Sequence, residues 1–142
     1  MSQQSLFGDA PELVVEFDGG ARGNPGPAAI GAVVRDATTG TPVASVSERI
    51  GVATNNVAEY KAVIAGLKAA APFGARRLRV RGDSLLVVKQ LRGEYKVRHP
   101  DLRPLYDQAR ALLRHYDCEI EHVPRAQNAD ADALVNAALD GD

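Results

Sequence analysis

Three short segments near the start of the chain carry the apolar pattern of β-strands. They are residues 12–17 (ELVVEF), 28–36 (AAIGAVVRD) and 41–50 (TPVASVSERI), which are rich in β-branched residues and are separated by turn residues. Strands at this spacing favour hairpin connections. The first third of the chain therefore predicts an antiparallel meander.

The apolar period changes to that of a helix after residue 54. In residues 55–71 the apolar side chains recur three and four positions apart, which predicts a helix that ends before Pro72. The remaining pattern predicts a strand, two helices, a strand and a final helix, at residues 76–83, 84–93, 101–116, 118–123 and 128–139. Strands joined through helices are typical of parallel pairing. The order therefore predicts an α/β fold with a mixed five-stranded sheet, in which the meander adjoins parallel strands.

The composition is that of one ordinary globular domain. Of 142 residues, 45% are hydrophobic and 25% are charged, as in soluble proteins. We expect a loose tail at residues 1–11 and one domain at residues 12–142. The sequence lacks an apolar run of 18 residues and a signal-peptide pattern, and its one cysteine, Cys118, cannot form an internal disulfide. These features favour a cytoplasmic protein and argue against a membrane protein.

Charge is unevenly distributed along the chain. Residues 76–103 contain nine basic and three acidic residues, a net charge of +6, although the whole chain has a net charge of −1. This distribution indicates either a surface that faces a polyanion or a solvated face with scattered ion pairs. Arg77, Arg79 and Arg81 alternate along the fourth predicted strand, so that face is open to solvent or its arginine stems extend to water.

A loop rich in glycine and proline follows the first strand at residues 18–27 (DGGARGNPGP). A plain turn is one explanation, because Asp, Gly and Pro are common turn residues. A phosphate-binding loop is a poor one, because neither the Gly-Lys-Ser/Thr ending nor the Gly-x-Gly-x-x-Gly spacing is present. The reason for this composition must lie elsewhere in the chain.

Four acidic residues occupy the ends of predicted elements: Asp18, Glu59, Asp83 and Asp132. Each has a structural interpretation: a turn residue for Asp18, a reciprocal cap with Asn56 for Glu59, a helix cap for Asp83, and a dipole-stabilising acid for Asp132. Strand ends and helix starts also converge at sheet edges. Carboxylates gathered there repel one another by roughly 3 kcal/mol per pair at about 5 Å. Hard cations such as Mg²⁺ relieve this repulsion, and two such ions can hold both oxygens of a phosphoryl displacement.

Four motifs in sequence order resemble type I ribonuclease H over residues 12–139. They are DGGARGNPGPAAIG, TNNVAEYKAVIAGL, GDSLLVVKQL and VPRAQNADADAL. The resemblance implies a ribonuclease H-like fold with helices on both sheet faces and with the first and fourth strands adjacent at the centre. It implies an endoribonuclease that cleaves the RNA strand of RNA–DNA hybrids with two Mg²⁺ ions, or Mn²⁺ as a substitute, and leaves 5′-phosphate and 3′-hydroxyl ends. A side activity on double-stranded RNA and a role in DNA replication and repair are further expectations.

The resemblance also assigns residues. The metal-binding and catalytic acids are Asp18, Glu59, Asp83 and Asp132, whereas Asp130 is a neighbour and not a ligand. The positions matching hybrid contacts are Gly19, Gly20, Asn24, Thr54, Asn55 and Asn56. Under this interpretation the glycines after Asp18 let the backbone approach the RNA minor groove, where 2′-hydroxyls distinguish RNA from DNA. The two prolines of the loop reduce the ordering needed on binding.

The sequence departs from the family pattern in four respects. Arg125 stands in the loop before the last acid, where many members have histidine, and we expect it to act on the scissile phosphate or in product release; His122 is a poor substitute for that histidine. The long basic insertion of some members is missing, so Tyr95, Lys96 and Arg98 are the candidates for DNA-strand contacts. The chain has no tryptophan, and Leu85 replaces a glutamine that is common after Asp-Ser.

Three other functions remain open at this point. An integrase- or resolvase-like nuclease would share the sheet and the acids, but not the motifs TNNVAEY and GNPGP together. A binding module without catalysis is disfavoured by the presence of all four acids. A purely structural domain would bind no metal.

The tail and the far end of the chain suggest partners. Residues 3–7 (QQSLF), from Gln3 to Leu6 and Phe7, resemble the peptide by which bacterial replication and repair proteins dock on the sliding clamp, although the pair could also fold back on the sheet edge. Some bacterial relatives continue into a C-terminal phosphatase-like domain, which would be a partner if this chain continues beyond residue 142.

Overall fold

The computed structural model describes residues 11–141. The elements follow in the predicted order: β1 (Glu12–Ala21), β2 (Gly26–Asp36), β3 (Pro42–Ala53), α1 (Asn55–Ala70), β4 (Arg77–Gly82), α2 (Leu85–Leu91), α3 (Arg103–Leu113), β5 (Asp117–His122) and α4 (Ala129–Asp140). Two 3₁₀ turns, Ala71–Phe73 and Arg125–Asn128, follow α1 and precede α4. The tail segment proposed to dock on the clamp lies outside the described residues.

The five strands form one sheet in the order β3-β2-β1-β4-β5. β1 pairs antiparallel with β2, and β2 pairs antiparallel with β3, whereas β1–β4 and β4–β5 are parallel. The predicted mixed sheet is thus confirmed, with β1 and β4 adjacent at its centre. This arrangement brings the ends of β1 and β4 to the same edge of the sheet.

Helices cover both faces of the sheet. α1 packs on β1 and β2, and Gly66 allows this because a Cβ there would crowd Val15 and Ala32. α4 packs on the opposite face, against β1, β2 and β3, where it contacts Gly31. The core lies between α1 and the sheet and includes the fully buried Phe17 and Tyr60. Among residues 11–141, no helix is long and apolar enough to span a bilayer.

β1 does not end at Asp18, as the sequence pattern predicted, but runs on to Ala21. The reason is that β2 continues to pair with it, from Asp18 opposite Gly31 to Ala21 opposite Ala28. Pairing with β4 stops one residue earlier, where Phe17 lies opposite Gly82. Asp18 is therefore the first residue of β1 beyond its parallel neighbour, where the sheet edge opens.

The helix caps also differ from the prediction. Thr54, not Asn56, caps α1, and its Oγ1 accepts a hydrogen bond from the Val57 amide at 3.2 Å. Ser84 caps α2 in the same manner, so Asp83 has no capping role. Glu59 lies beyond the position of a reciprocal cap and is buried, with 8% of its surface exposed.

The alternating arginines of β4 lie on a face of the sheet that is open to water. Arg77 pairs with Asp117 at 3.4 Å, and Arg79 pairs with Glu121 at 3.3 Å. Arg81 lies 3.7 Å from Glu16. Within the described part of the chain, the basic residues of the 76–103 segment that form no ion pair are Arg76, Lys96 and Arg98. Most of the basic segment is therefore a solvated face with ion pairs and not a continuous surface for a polyanion.

Candidate active site

Three of the four predicted acids meet at the open edge of the sheet. Carboxylate oxygens of Asp18, Glu59 and Asp83, from β1, α1 and the residue after β4, all lie within 4.8 Å of one another. Asp132, from the first turn of α4, lines the same cleft, which has a volume of about 490 Å³. The structure thus brings together all four acids that the sequence singled out.

Gly19 explains how Glu59 reaches Asp18. The backbone of α1 passes so close to β1 that a Cβ at Gly19 would collide with the carbonyl of Ala58. The Gly19 amide donates a hydrogen bond to Glu59 Oε1 at 2.9 Å. The sequence interpretation gave Gly19 a contact with RNA only. In the folded chain its close approach to α1 sets the distance between the Asp18 and Glu59 carboxylates.

Gly31 determines the position of Asp132 in a similar way. It lies opposite Asp18 in the β1–β2 pair, and a Cβ there would collide with the carbonyl of Ala131. This close approach places the first turn of α4 directly over Asp18. Sequence reasoning missed Gly31, although a glycine within a strand often marks close approach of another backbone.

Asn128, which the sequence analysis also missed, fixes the segment before α4. Its side chain is 1% exposed and donates a hydrogen bond from Nδ2 to the Phe17 carbonyl at 2.9 Å. That carbonyl belongs to the residue before Asp18. The loop that carries Arg125 is thereby attached to the strand that carries the central acid.

Burial and repulsion between the acids raise the pKa of two members of this cluster, Asp18 and Glu59. Burial raises the pKa of Asp18 from its ordinary value of 3.8 to about 7, and the negative charges of Asp83 and Asp132 contribute to that rise. Burial raises the pKa of Glu59 from 4.5 to about 9, with added repulsion from Asp18 and Asp83. A bound cation reverses this preference, because it favours the charged carboxylates. Clustered carboxylate oxygens fit a hard divalent cation.

Arg125 lies at the rim of the same cleft. Its side chain is 81% exposed, and Nη2 lies 3.5 Å from Asp132 Oδ1. Its positive charge lowers the pKa of Asp18 and of Glu59, in opposition to burial. His122 also lines the cleft. Arg125 therefore has the exposure and position to meet an anionic substrate beside the acids.

The predicted hybrid-contact residues fall into two groups. Asn55 lines the cleft with Gly19 and Gly20, and its Oδ1 accepts a hydrogen bond from the Ala21 amide at 2.9 Å. Asn24 Oδ1 accepts a hydrogen bond from the Asn55 amide at 3.0 Å, which joins the loop after β1 to the start of α1. Thr54 and Asn56 flank Asn55 at that helix start.

The second group lies outside the acid cleft. Tyr95 is 47% exposed and stacks with Lys89, whose Nζ lies 5.1 Å from the ring centre. Lys96 and Arg98 are exposed on the segment between α2 and α3. This segment is fixed from inside, since Gln90 Nε2 donates a hydrogen bond to the Lys96 carbonyl at 3.3 Å.

Comparison with known proteins agrees with this geometry. A family model described as reverse transcriptase-like matches residues 16–138. The crystal structure of RNase H1 from Halobacterium salinarum superposes with a TM-score of 0.86 at 52% identity, over 91% of this chain and 98% of that one. The chain belongs to the ribonuclease H1 family. The acid cleft described above is thus found in a chain of a family of metal-dependent hydrolytic nucleases.

Other members of the ribonuclease H1 family are similar over most of this chain. The N-terminal RNase H domain of Rv2228c from Mycobacterium tuberculosis has a TM-score of 0.87 at 52% identity, covering 89% of this chain and 98% of that one. LC11-RNase H1, solved in complex with an RNA/DNA hybrid, has a TM-score of 0.85 at 41% identity, covering 90% and 96%.

Full-length relatives are longer. The match with the bifunctional protein Rv2228c is 52% identical over 91% of this chain and spans 36% of that protein. The match with Halobacterium salinarum ribonuclease HI is 54% identical over 87% of this chain and spans 62% of that protein.

Proposed function

We propose that this chain is an endoribonuclease that hydrolyses the RNA strand of RNA–DNA hybrids and leaves 5′-phosphate and 3′-hydroxyl ends. The observation that carries the proposal is the meeting of four carboxylates in one open cleft, beside the joined side chains of the loop after β1 and the start of α1. The Halobacterium relative is named ribonuclease HI, and LC11-RNase H1 was solved with a hybrid. Both names support the same substrate for this chain.

The four acids would hold two divalent cations, Mg²⁺ in our proposal, with Mn²⁺ as a substitute. Such ions, when bound, lower the pKa of the attacking water and stabilise the leaving oxygen. Glu59 and Asp18 must lose their protons to bind them, and the Gly19 amide remains to orient Glu59. Arg125 would neutralise a phosphate oxygen at the rim of the cleft.

The remaining contacts would select the hybrid. Gly20, Asn24 and Asn55 would face the RNA minor groove, where 2′-hydroxyls both donate and accept hydrogen bonds. Tyr95, together with the exposed Lys96 and Arg98, would contact the DNA strand through stacking and phosphate pairing. These two groups lie on different elements, which suits a substrate with two chemically different strands.

Cleavage of a uniformly labelled RNA–DNA hybrid tests the proposal. We expect Mg²⁺-dependent cleavage of the RNA strand, weaker cleavage of duplex RNA, and none of duplex DNA. Asp83→Asn should abolish cleavage, whereas Asp107→Asn, an exposed acid on α3, should not. Cleavage of duplex DNA would indicate an integrase- or resolvase-like nuclease. Tight hybrid binding without turnover would indicate a binding module.

Two partner proposals rest on the sequence and on relatives. We propose that the segment from Gln3 to Phe7 docks on the bacterial sliding clamp, which would place the enzyme in the cytoplasm, in DNA replication and repair. Titration of purified clamp with the whole protein tests this, with Leu6→Ala/Phe7→Ala as control, and no binding at about 100 μM clamp would exclude it. A C-terminal phosphatase-like domain remains a proposal for a longer form of this chain, since the relative named bifunctional is longer.

A further inference from the structure

A buried acid on β1 lies directly beside the proposed metal site. Glu16 is 8% exposed and precedes Asp18 by two residues, so both side chains point to the sheet face that α4 covers. A buried carboxylate requires partners. Arg35 Nε lies 3.0 Å from Glu16 Oε1, and Arg81 Nη1 lies 3.7 Å from Glu16 Oε2. The acid is therefore held between two guanidinium groups.

Each of these arginines also extends toward the segment that leads into α4. Arg35 Nη2 pairs with Asp130 in the first turn of α4. Arg81 Nη2 lies 3.5 Å from Gln127 Oε1 in the preceding 3₁₀ turn. Gln127 follows Arg125 by two residues, and Asp130 precedes Asp132 by two residues. The two arginines thus contact the chain between Arg125, which the proposed mechanism places on the substrate, and Asp132, which it places on the metal.

The start of α4 depends on such tertiary contacts. Its N-cap, Asn128, makes no side-chain capping hydrogen bond, and that side chain binds the Phe17 carbonyl instead. Because no side chain caps this helix end locally, the position of its first turn depends on contacts with the rest of the fold. Asp130 is anchored by Arg35, a side chain that is itself only 20% exposed and held by Glu16.

We propose that Arg35 and Asp130 are positioning residues for the metal site. The chain of contacts from Glu16 through Arg35 to Asp130 fixes the first turn of α4 and so sets the distance from the Asp132 carboxylate to Asp18. Arginine suits this role because its planar guanidinium can bind two carboxylates at once, whereas lysine cannot do so with the same geometry. The expected effect on cleavage rests on the proposed function, whereas the expected effect on metal binding rests only on the acid cleft.

Asp130 is the residue to substitute, because loss of its carboxylate leaves the Glu16–Arg35 ion pair intact. Asp130→Ala should raise the half-saturating Mg²⁺ concentration at least about threefold and lower kcat by about three- to tenfold, with KM for the hybrid unchanged. Asp130→Glu keeps the charge, so its half-saturating Mg²⁺ concentration and its kcat should be close to those of the parent. The matched control is Asp117→Ala, which breaks the Arg77 ion pair on the same sheet face, away from the cleft.

Coupling between the two residues provides an independent criterion. Arg35→Lys should weaken Mg²⁺ binding in the parent. In the Asp130→Ala background it should weaken Mg²⁺ binding little further, because both substitutions break the same ion pair between Arg35 and Asp130. The half-saturating Mg²⁺ concentration is measured from the metal-induced rise in melting temperature. If the parent does not cleave hybrids, the proposed function fails, and Mg²⁺ binding alone decides this inference. Parent-like Mg²⁺ binding in Asp130→Ala, or an equal loss in Asp130→Glu, would overturn it.

Discussion

Neutralising Asp18 should stabilise the metal-free protein while it abolishes cleavage. The pKa of Asp18 is raised from 3.8 to about 7 by burial and by neighbouring acids. A raised pKa means that the folded state favours the protonated acid more than the unfolded state does. This contribution to stability is complete below pH 3.8 and is lost as pH rises through 7. The amide that replaces the carboxylate in Asp18→Asn carries no charge at any pH.

The size of the expected stabilisation follows from the shift in the pKa of Asp18. A change from 3.8 to about 7 corresponds to about 4 kcal/mol of unfavourable free energy at pH 8. Because the cleft is open and water can enter it, we expect a smaller gain from Asp18→Asn, about 1–3 kcal/mol. For a chain of this size that gain raises the melting temperature by roughly 3–10 °C.

Thermal unfolding in excess chelator at several pH values tests this prediction. The difference between Asp18→Asn and the parent should be largest at pH 8 and should close as the pH falls toward 4. Asp107→Asn controls for a general effect of losing a carboxylate. A melting temperature for Asp18→Asn below that of the parent at pH 8 would refute the reasoning, since Asp18 would then be structural. A difference that does not change with pH would refute the electrostatic origin.

Three further predictions concern metal, turnover and salt. Mg²⁺ should raise the melting temperature of the parent protein. The affinity of the protein for Mg²⁺ should increase from pH 7 to pH 9, because Glu59, with a pKa of about 9, must lose its proton to bind the ion. Calorimetry in two buffers would detect the released proton, and a pH-independent affinity would contradict the role of Glu59 as a metal ligand. Arg125→Ala should lower the cleavage rate at least about tenfold, about 1.4 kcal/mol of transition-state stabilisation, and an unchanged rate at saturating hybrid would reduce Arg125 to a surface residue. Lys96→Ala and Arg98→Ala should each weaken hybrid binding and lower its salt dependence by about one phosphate contact; salt slopes equal to the parent's would place the DNA strand elsewhere.

Local pattern was sufficient to predict most of the fold. Residues 12–17 and 55–71 carry strong strand and helix periods, and both elements are present with ends shifted by a few residues. The exact end of β1 could not be predicted, because it depends on β2, which continues to pair beyond Asp18. The cap of α1 was misassigned for a similar reason, since Thr54, Asn55 and Asn56 are all acceptable caps in sequence.

The candidate site was predictable in its acids but not in what brings them together. Asp18, Glu59 and Asp83 were singled out by their places at element ends, and the resemblance to a family assigned them a common role. Gly19 sets the spacing between Asp18 and Glu59, and Gly31 sets that between Asp18 and Asp132. The importance of these glycines appears only when a second backbone lies against the strand.

The charge pattern alone could not locate the nucleic-acid surface. Arg77, Arg79 and Arg81 are basic in sequence, but acids from β1 and β5 pair with them on the open sheet face. Those acids are distant in sequence, so only the folded sheet shows the pairing. Net charge over a segment therefore overestimated the positive surface available to a substrate.

The position of Asp132 on α4 makes the completeness of the acid cleft depend on whether that helix stays folded. Asp18, Glu59 and Asp83 are carried by β1, α1 and the residue after β4, whereas α4 carries only Asp132 of the four acids. When α4 opens locally, the cleft therefore loses the Asp132 carboxylate without global unfolding. A divalent cation bound to the four acids would oppose that opening, so hydrogen exchange at the amides of α4 should slow as the metal concentration rises.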